Sequence, residues 1–128
     1  MLITEIEKIK KENDEWNQTI DYITQECVLM KNRLSNLLEI FHASFAVDWA
    51  ENFQSRIIMK EQVLDLIRKD IKEQQQRIVD NHFNYSKNSH LKIKENHEDI
   101  RNKIFFLEKS CLEMKQSFND FLSIHMLL

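Results

Sequence analysis

Residues 81–90 read NHFNYSKNSH, in a chain of 128 residues that contains no glycine and no proline. Whether a helix ends in this stretch or runs through it decides the fold. If the helix ends, the chain folds back into a bundle. If it runs on, the C-terminal ~80 residues form a rod about 120 Å long at ~1.5 Å per residue. Asn81, Asn84, Ser86, Asn88 and Ser89 can all bond their own backbone in turn conformations, and asparagine tolerates the left-handed region. The hydrophobic phase on either side of the stretch points to the same break.

From Leu2 to Phe41, apolar residues recur at alternating steps of four and three, through Ile6, Ile9, Trp16, Ile20, Ile23, Cys27, Met30, Leu34 and Leu37. Only Asn13 interrupts them. With Ile6 at heptad position a, this is the a/d seam of a coiled coil. A second seam runs from Phe53 to Tyr85, with Lys60, Gln74 and Asn81 at polar positions, and a third from Ile93 to Leu128, including His97 and His125. Neither Phe41 and Ile57 nor Tyr85 and His97 keep a common heptad register, and extending the second seam would place Lys92 inside it. A continuous helix would hold its phase or drift by a stutter. The first break coincides with a potential capping box, Asp48 with Glu51, and the second with the asparagine-rich stretch. The expected fold is all-α: one domain over 1–128, an elongated antiparallel up-down-up three-helix coiled-coil bundle. Its helices are expected over roughly 2–43, 48–83 and 89–127.

Composition agrees with this reading and excludes others. Charged residues make up 30% and hydrophobic residues 42%, too apolar for a disordered chain. The net charge of −3 is spread along the chain with no basic face, which argues against nucleic acid as a partner. The N-terminal MLITEIEKIKKENDEW lacks the apolar segment of a secretory signal, and no apolar run reaches the ~18 residues of a membrane span. A cytoplasmic protein without membrane contact is expected. Cys27 and Cys111 are too few and too far apart for a zinc ribbon or a CxxC redox motif, and in the cytosol they should be reduced thiols.

Three polar seam residues, Asn13, Gln74 and His97, fall at similar heights in an up-down-up bundle. A functional site is one reading. A hydrogen-bonded layer that fixes register, as a buried asparagine does in coiled coils, is the favoured one. Cys27 and Cys111 also share a height on parallel helices, where two space-filling thiols are favoured over a redox staple. Lys60 is expected to snorkel along its methylene stem.

No catalytic, cofactor-binding or metal site is expected. A di-iron bundle needs inward glutamates and two ExxH pairs. The sequence offers one pair, Glu39 with His42, off the seam, and His82, His90, His97 and His125 have no matching carboxylates. Without glycine there is no phosphate-binding loop, and no small-molecule substrate is expected.

The most informative asymmetry lies outside the seams. Val28, Leu29, Leu38 and Ile40, then Ile58, Met59, Val63 and Leu66, then Phe105, Phe106, Leu112, Leu122, Ile124, Met126 and Leu127 add apolar surface to three half-helices that share one end of the bundle. Either the core widens there, with the tail SIHMLL folded over it, or the surplus is a docking surface. The second reading makes Phe105, Phe106, Leu112, Leu122, Met126, Ile58, Met59, Leu66 and Leu29 interaction residues, for a second copy in a homodimer or for another helical protein.

Glu15-Trp16, Lys31-Asn32-Arg33-Leu34 and Asn52-Phe53-Gln54 resemble segments of short uncharacterised bacterial coiled-coil proteins, over the first two-thirds of the chain. The resemblance implies an all-helical fold and no assigned activity. The expected function is a non-catalytic interaction or structural module. An export or assembly chaperone that holds a client helix is the alternative, and a metal-binding bundle enzyme a distant third.

Overall fold

The three seams become three helices in the computed structural model, which describes residues 3–40, 44–80 and 87–125: α1 (Ile3–Ile40), α2 (Ser44–Asp80) and α3 (Lys87–His125). The described residues are helical throughout and carry no strand. Residues 81–86, the first part of the 81–90 stretch in which the turn was expected, and the seam positions Leu2, Phe41, Asn81, Tyr85 and Leu128 lie outside the described residues. The reversal is nevertheless visible in what packs together. Gln74 meets His97, Asp70 meets Lys103 and Lys60 meets Ser110, so α2 and α3 are antiparallel. Asn13 meets Gln74, Thr24 meets Arg68 and Lys31 meets Glu61, so α1 and α2 are antiparallel too. The rod is therefore ruled out and the bundle is up-down-up.

Two helix starts differ from expectation. Helix α3 begins at Lys87, not at 89, so Asn88 and Ser89 are helical and not part of the turn. Helix α2 begins at Ser44, not at 48, so Asp48 and Glu51 lie within it and do not form its N-terminal capping box. The physical reason is alanine. Ala46 and Ala50 are both buried and continue the a/d seam of α2 back from Phe53, a signal that escapes a reading of large apolar residues. Alanine is also the best helix former, so this first turn needs no further help.

The core is divided. The larger part runs from Trp16 to Leu34 on α1, Ala50 to Ile71 on α2 and Ile100 to Phe118 on α3. Its far end is closed by aromatic rings: Trp49 stacks on Phe121 at 3.7 Å between centroids, and Phe53 meets Phe118 edge-on at 5.1 Å. Leu38 and Leu122 pack against the same end, so part of the apolar surplus does widen the core. A separate small cluster, Ile9, Ile78 and Ile93 with Ile6 beside it, occupies the opposite end. Between the two parts lies a polar layer.

Candidate functional site

Asn13, Gln74 and His97, each at an a or d position of its helix, are buried together in that layer. Asn13 Nδ2 donates to Gln74 Oε1 at 2.9 Å, and Gln74 Nε2 lies 2.8 Å from His97 Nδ1. With the Gln74 carbonyl occupied by Asn13, its amide nitrogen must donate to Nδ1. The neutral ring then carries its proton on Nε2, which donates to Glu12 Oε1 at 3.1 Å. The chain of bonds thus has one direction, from Asn13 through Gln74 and His97 to Glu12.

Two neighbours that the seam pattern does not reveal complete the arrangement. Arg101 grips the Glu12 carboxylate from α3 with Nε at 3.2 Å and a terminal nitrogen at 2.7 Å, and it also pairs with Glu98. Trp16 lies against His97 with ring centroids 4.5 Å apart, and the Arg101 guanidinium sits over the indole at 5.9 Å. Burial pulls the Glu12 carboxyl up, but the hydrogen bonds from Arg101 and His97 outweigh it and hold its pKa below the usual range. Burial depresses the His97 pKa against the opposing pull of Glu12, so the imidazole is neutral at physiological pH. Both its nitrogens are occupied, and its face is covered by Trp16.

The Glu12–Arg101 pair belongs to a longer pattern. Glu5 with Lys94, Glu12 with Arg101 and Glu26 with Lys115 bridge α1 and α3 at heptad spacing, as g-to-e pairs between parallel helices. The rung between the second and third is missing: Thr19 and Glu108 stand there instead, and a groove that also takes in Tyr22 and Leu112 opens at that point. The signal was present in the sequence as Glu5, Glu12 and Glu26 against Lys94, Arg101 and Lys115, but it reads only once the axial offset of the helices is known.

The cysteines are buried free thiols. Burial first, then the charge of Cys111, pushes the Cys27 pKa up to about 11, and burial raises that of Cys111 as well. Lys60 is half-buried and reaches Ser110 Oγ, its stem lining the wall between α2 and α3. Among the described residues no cluster of His, Cys, Asp and Glu is arranged to hold a metal ion. Glu39 is exposed on α1, and His42 lies outside the described residues.

Of the expected interaction residues, Phe105, Phe106, Leu112, Ile58, Met59, Leu66 and Leu29 are exposed. Leu122 is instead half-buried against the core, and Met126 lies outside the described residues. The exposed residues do not form one patch. Phe106 (65% exposed) joins Leu66 (61% exposed) and Val63 along a groove of about 580 Å³ between α2 and α3, edged by Lys103, Lys109 and Glu113. Leu112 lines the α1–α3 groove with Tyr22. Phe105 touches Phe106 edge-on, with centroids 5.8 Å apart. Among the described residues no helix is long and apolar enough to cross a membrane. Compared with known proteins, the chain matches no family model, no curated protein and no solved structure.

Proposed function

We propose that the protein is a non-catalytic coiled-coil interaction module of the cytoplasm, and that it self-associates as a homodimer through the apolar half of its bundle. The observation that carries this reading is the α2–α3 groove, where Val63, Leu66 and Phe106 stand exposed side by side. Contiguous apolar surface on a soluble fold marks contact with another protein more often than chance. The occupied, covered His97 supports a structural rather than a catalytic role for the polar layer, since neither ring nitrogen can take a substrate proton without breaking it.

Light scattering after size exclusion, across a tenfold range of concentration, tests the dimer. A concentration-independent dimer that Phe106→Asp or Leu66→Asp converts to monomer, with helicity retained, is the expected result. Phe105→Asp, on the adjoining face, should weaken association less. A monomer at every concentration would remove the proposal. The same straight groove also suits an amphipathic client helix, whose apolar residues would lie along it. A chain that is monomeric and aggregates until a partner is added would favour that reading instead.

A further inference from the structure

The polar layer separates the three-isoleucine cluster from the rest of the core, and its buried side chains are joined to one another by hydrogen bonds, with Trp16 of the larger core lying against the His97 ring. We propose that the Asn13–Gln74–His97 layer is a proton-operated latch on the end of the bundle that holds Ile9, Ile78 and Ile93. Uptake of one proton at His97 Nδ1 releases that end while the larger core stays closed.

The argument rests on bond direction. Nδ1 accepts from Gln74 Nε2, so a proton added there from solvent sets two donors against each other at 2.8 Å. The conflict is relieved only if Gln74 turns its amide to offer Oε1. Its Nε2 then faces the Asn13 donor, and Asn13 must turn as well. Asn13 Oδ1 is the atom that turning would bring to Gln74, and it is buried with no hydrogen-bond partner among the described residues. Turning both amides therefore exchanges one unpaired buried atom of Asn13 for the other, while a cation is buried beside Gln74. Either way the charged state has a less stable layer.

The charges around the ring set the conditions. From α1, Glu12 accepts from Nε2 and favours the proton; from α3, Arg101 opposes it and Glu98 favours it. From α2 the ring is faced by the uncharged Gln74, with Arg77 and Lys92 of α3 lining the adjacent groove. The burial of the ring, which disfavours the cation, is the largest of these influences. Among the described residues, the apolar packing that holds the end that opens is three buried isoleucines and Ile6.

Hydrogen exchange read by mass spectrometry on the full chain tests the latch. Amides of 3–12, 76–80 and 88–95 should exchange faster at about pH 5.5 than at about pH 7.5, after correction for intrinsic rates. The increase should reach at most about tenfold, the ceiling for one imidazole of ordinary pKa titrating in the opened state. Amides of the larger core should not follow. His97→Gln should abolish the response, and His82→Gln/His90→Gln, which removes the other histidines near this end in sequence, should keep it. No acceleration, a uniform acceleration along the helices, or an unchanged response in His97→Gln would each overturn the proposal. Should His97→Gln not fold, nitrogen NMR of the wild-type ring decides without substitution. The Nε2–H tautomer at about pH 7.5 is required, and a ring protonated on Nδ1 at that pH would overturn the latch.

Discussion

The two ends of the bundle are built from the same heptad grammar and differ in what fills it. From Trp16 to the Trp49–Phe121 stack, the a and d positions hold apolar side chains and two thiols across all three helices, with the small Ala50 and the half-buried Lys60 on α2 as the exceptions to their bulk and polarity. Beyond the polar layer, among the described residues, only Ile9, Ile78 and Ile93 remain buried in the apolar cluster, with Ile6 partly covered. The lesson is that a seam can be regular while its stability is not. A row of hydrogen-bonded side chains breaks the continuity of apolar contact, so the halves are coupled through bonds whose strength depends on protonation and direction rather than on area.

The contrast can be broken most forcefully by truncation. Phe118→Ala, in the larger core, should cost ~3–5 kcal/mol in urea denaturation, whereas Ile93→Ala, in the small cluster, should fall near the ~2 kcal/mol lower end for such substitutions. Equal losses would mean that the core is not divided. Next in size is the layer itself. Gln74→Leu leaves Asn13 and His97 without their buried partner and should cost ~1–3 kcal/mol. Replacing Asn13, Gln74 and His97 together by leucine should recover that loss, because no buried polar group is left unpaired, while a loss of unique register would show as mixed oligomers in light scattering.

A smaller effect separates the two titrating groups. His97 has a depressed pKa in the fold, so the unfolded chain takes up its proton first as pH falls. Stability should therefore be flat above the ordinary value of 6.5, decline below it, and level off once the folded ring is also protonated. Glu12, also depressed, contributes stability that is present above its ordinary value of 4.5 and is lost below it. Denaturant midpoints measured against pH should show these as two separate declines, and Glu12→Gln should remove the lower one. The smallest expected change is at the missing-rung ladder: Lys115→Gln breaks the pair with Glu26 at the surface and should cost no more than ~1 kcal/mol. A thiol measurement reports on the larger core alone. With its pKa near 11, Cys27 is almost wholly protonated at neutral pH, so labelling by a thiolate-selective reagent should be slow in the native protein and fast in denaturant. Fast native labelling would show that this core also opens.

Much of this was legible in the sequence because heptad position is a local property. The polar layer could be placed from counting alone, since Asn13, Gln74 and His97 occupy seam positions at matching distances from the turns. The start of α2 was missed because Ala46 and Ala50 are too small to register as a seam, although burial in a tight bundle suits them. Most of the surplus apolar residues are exposed, but the sequence does not show how they divide between surface and core. Leu122 turns inward while Phe106 stays out, a distinction that depends on how far each helix is rotated about its axis.

By itself the sequence determined that the chain is helical, where its phase breaks, which large seam residues face inward and which polar ones share a level. These follow from a repeat of three and four and from the absence of any residue that forbids a helix. Only the tertiary structure decided the direction of the bonds from Asn13 to Glu12, the grip of Arg101 and the partition of the core. Those depend on the rotation and offset of one helix against another, to within the reach of a hydrogen bond, and no periodicity along a single helix records them.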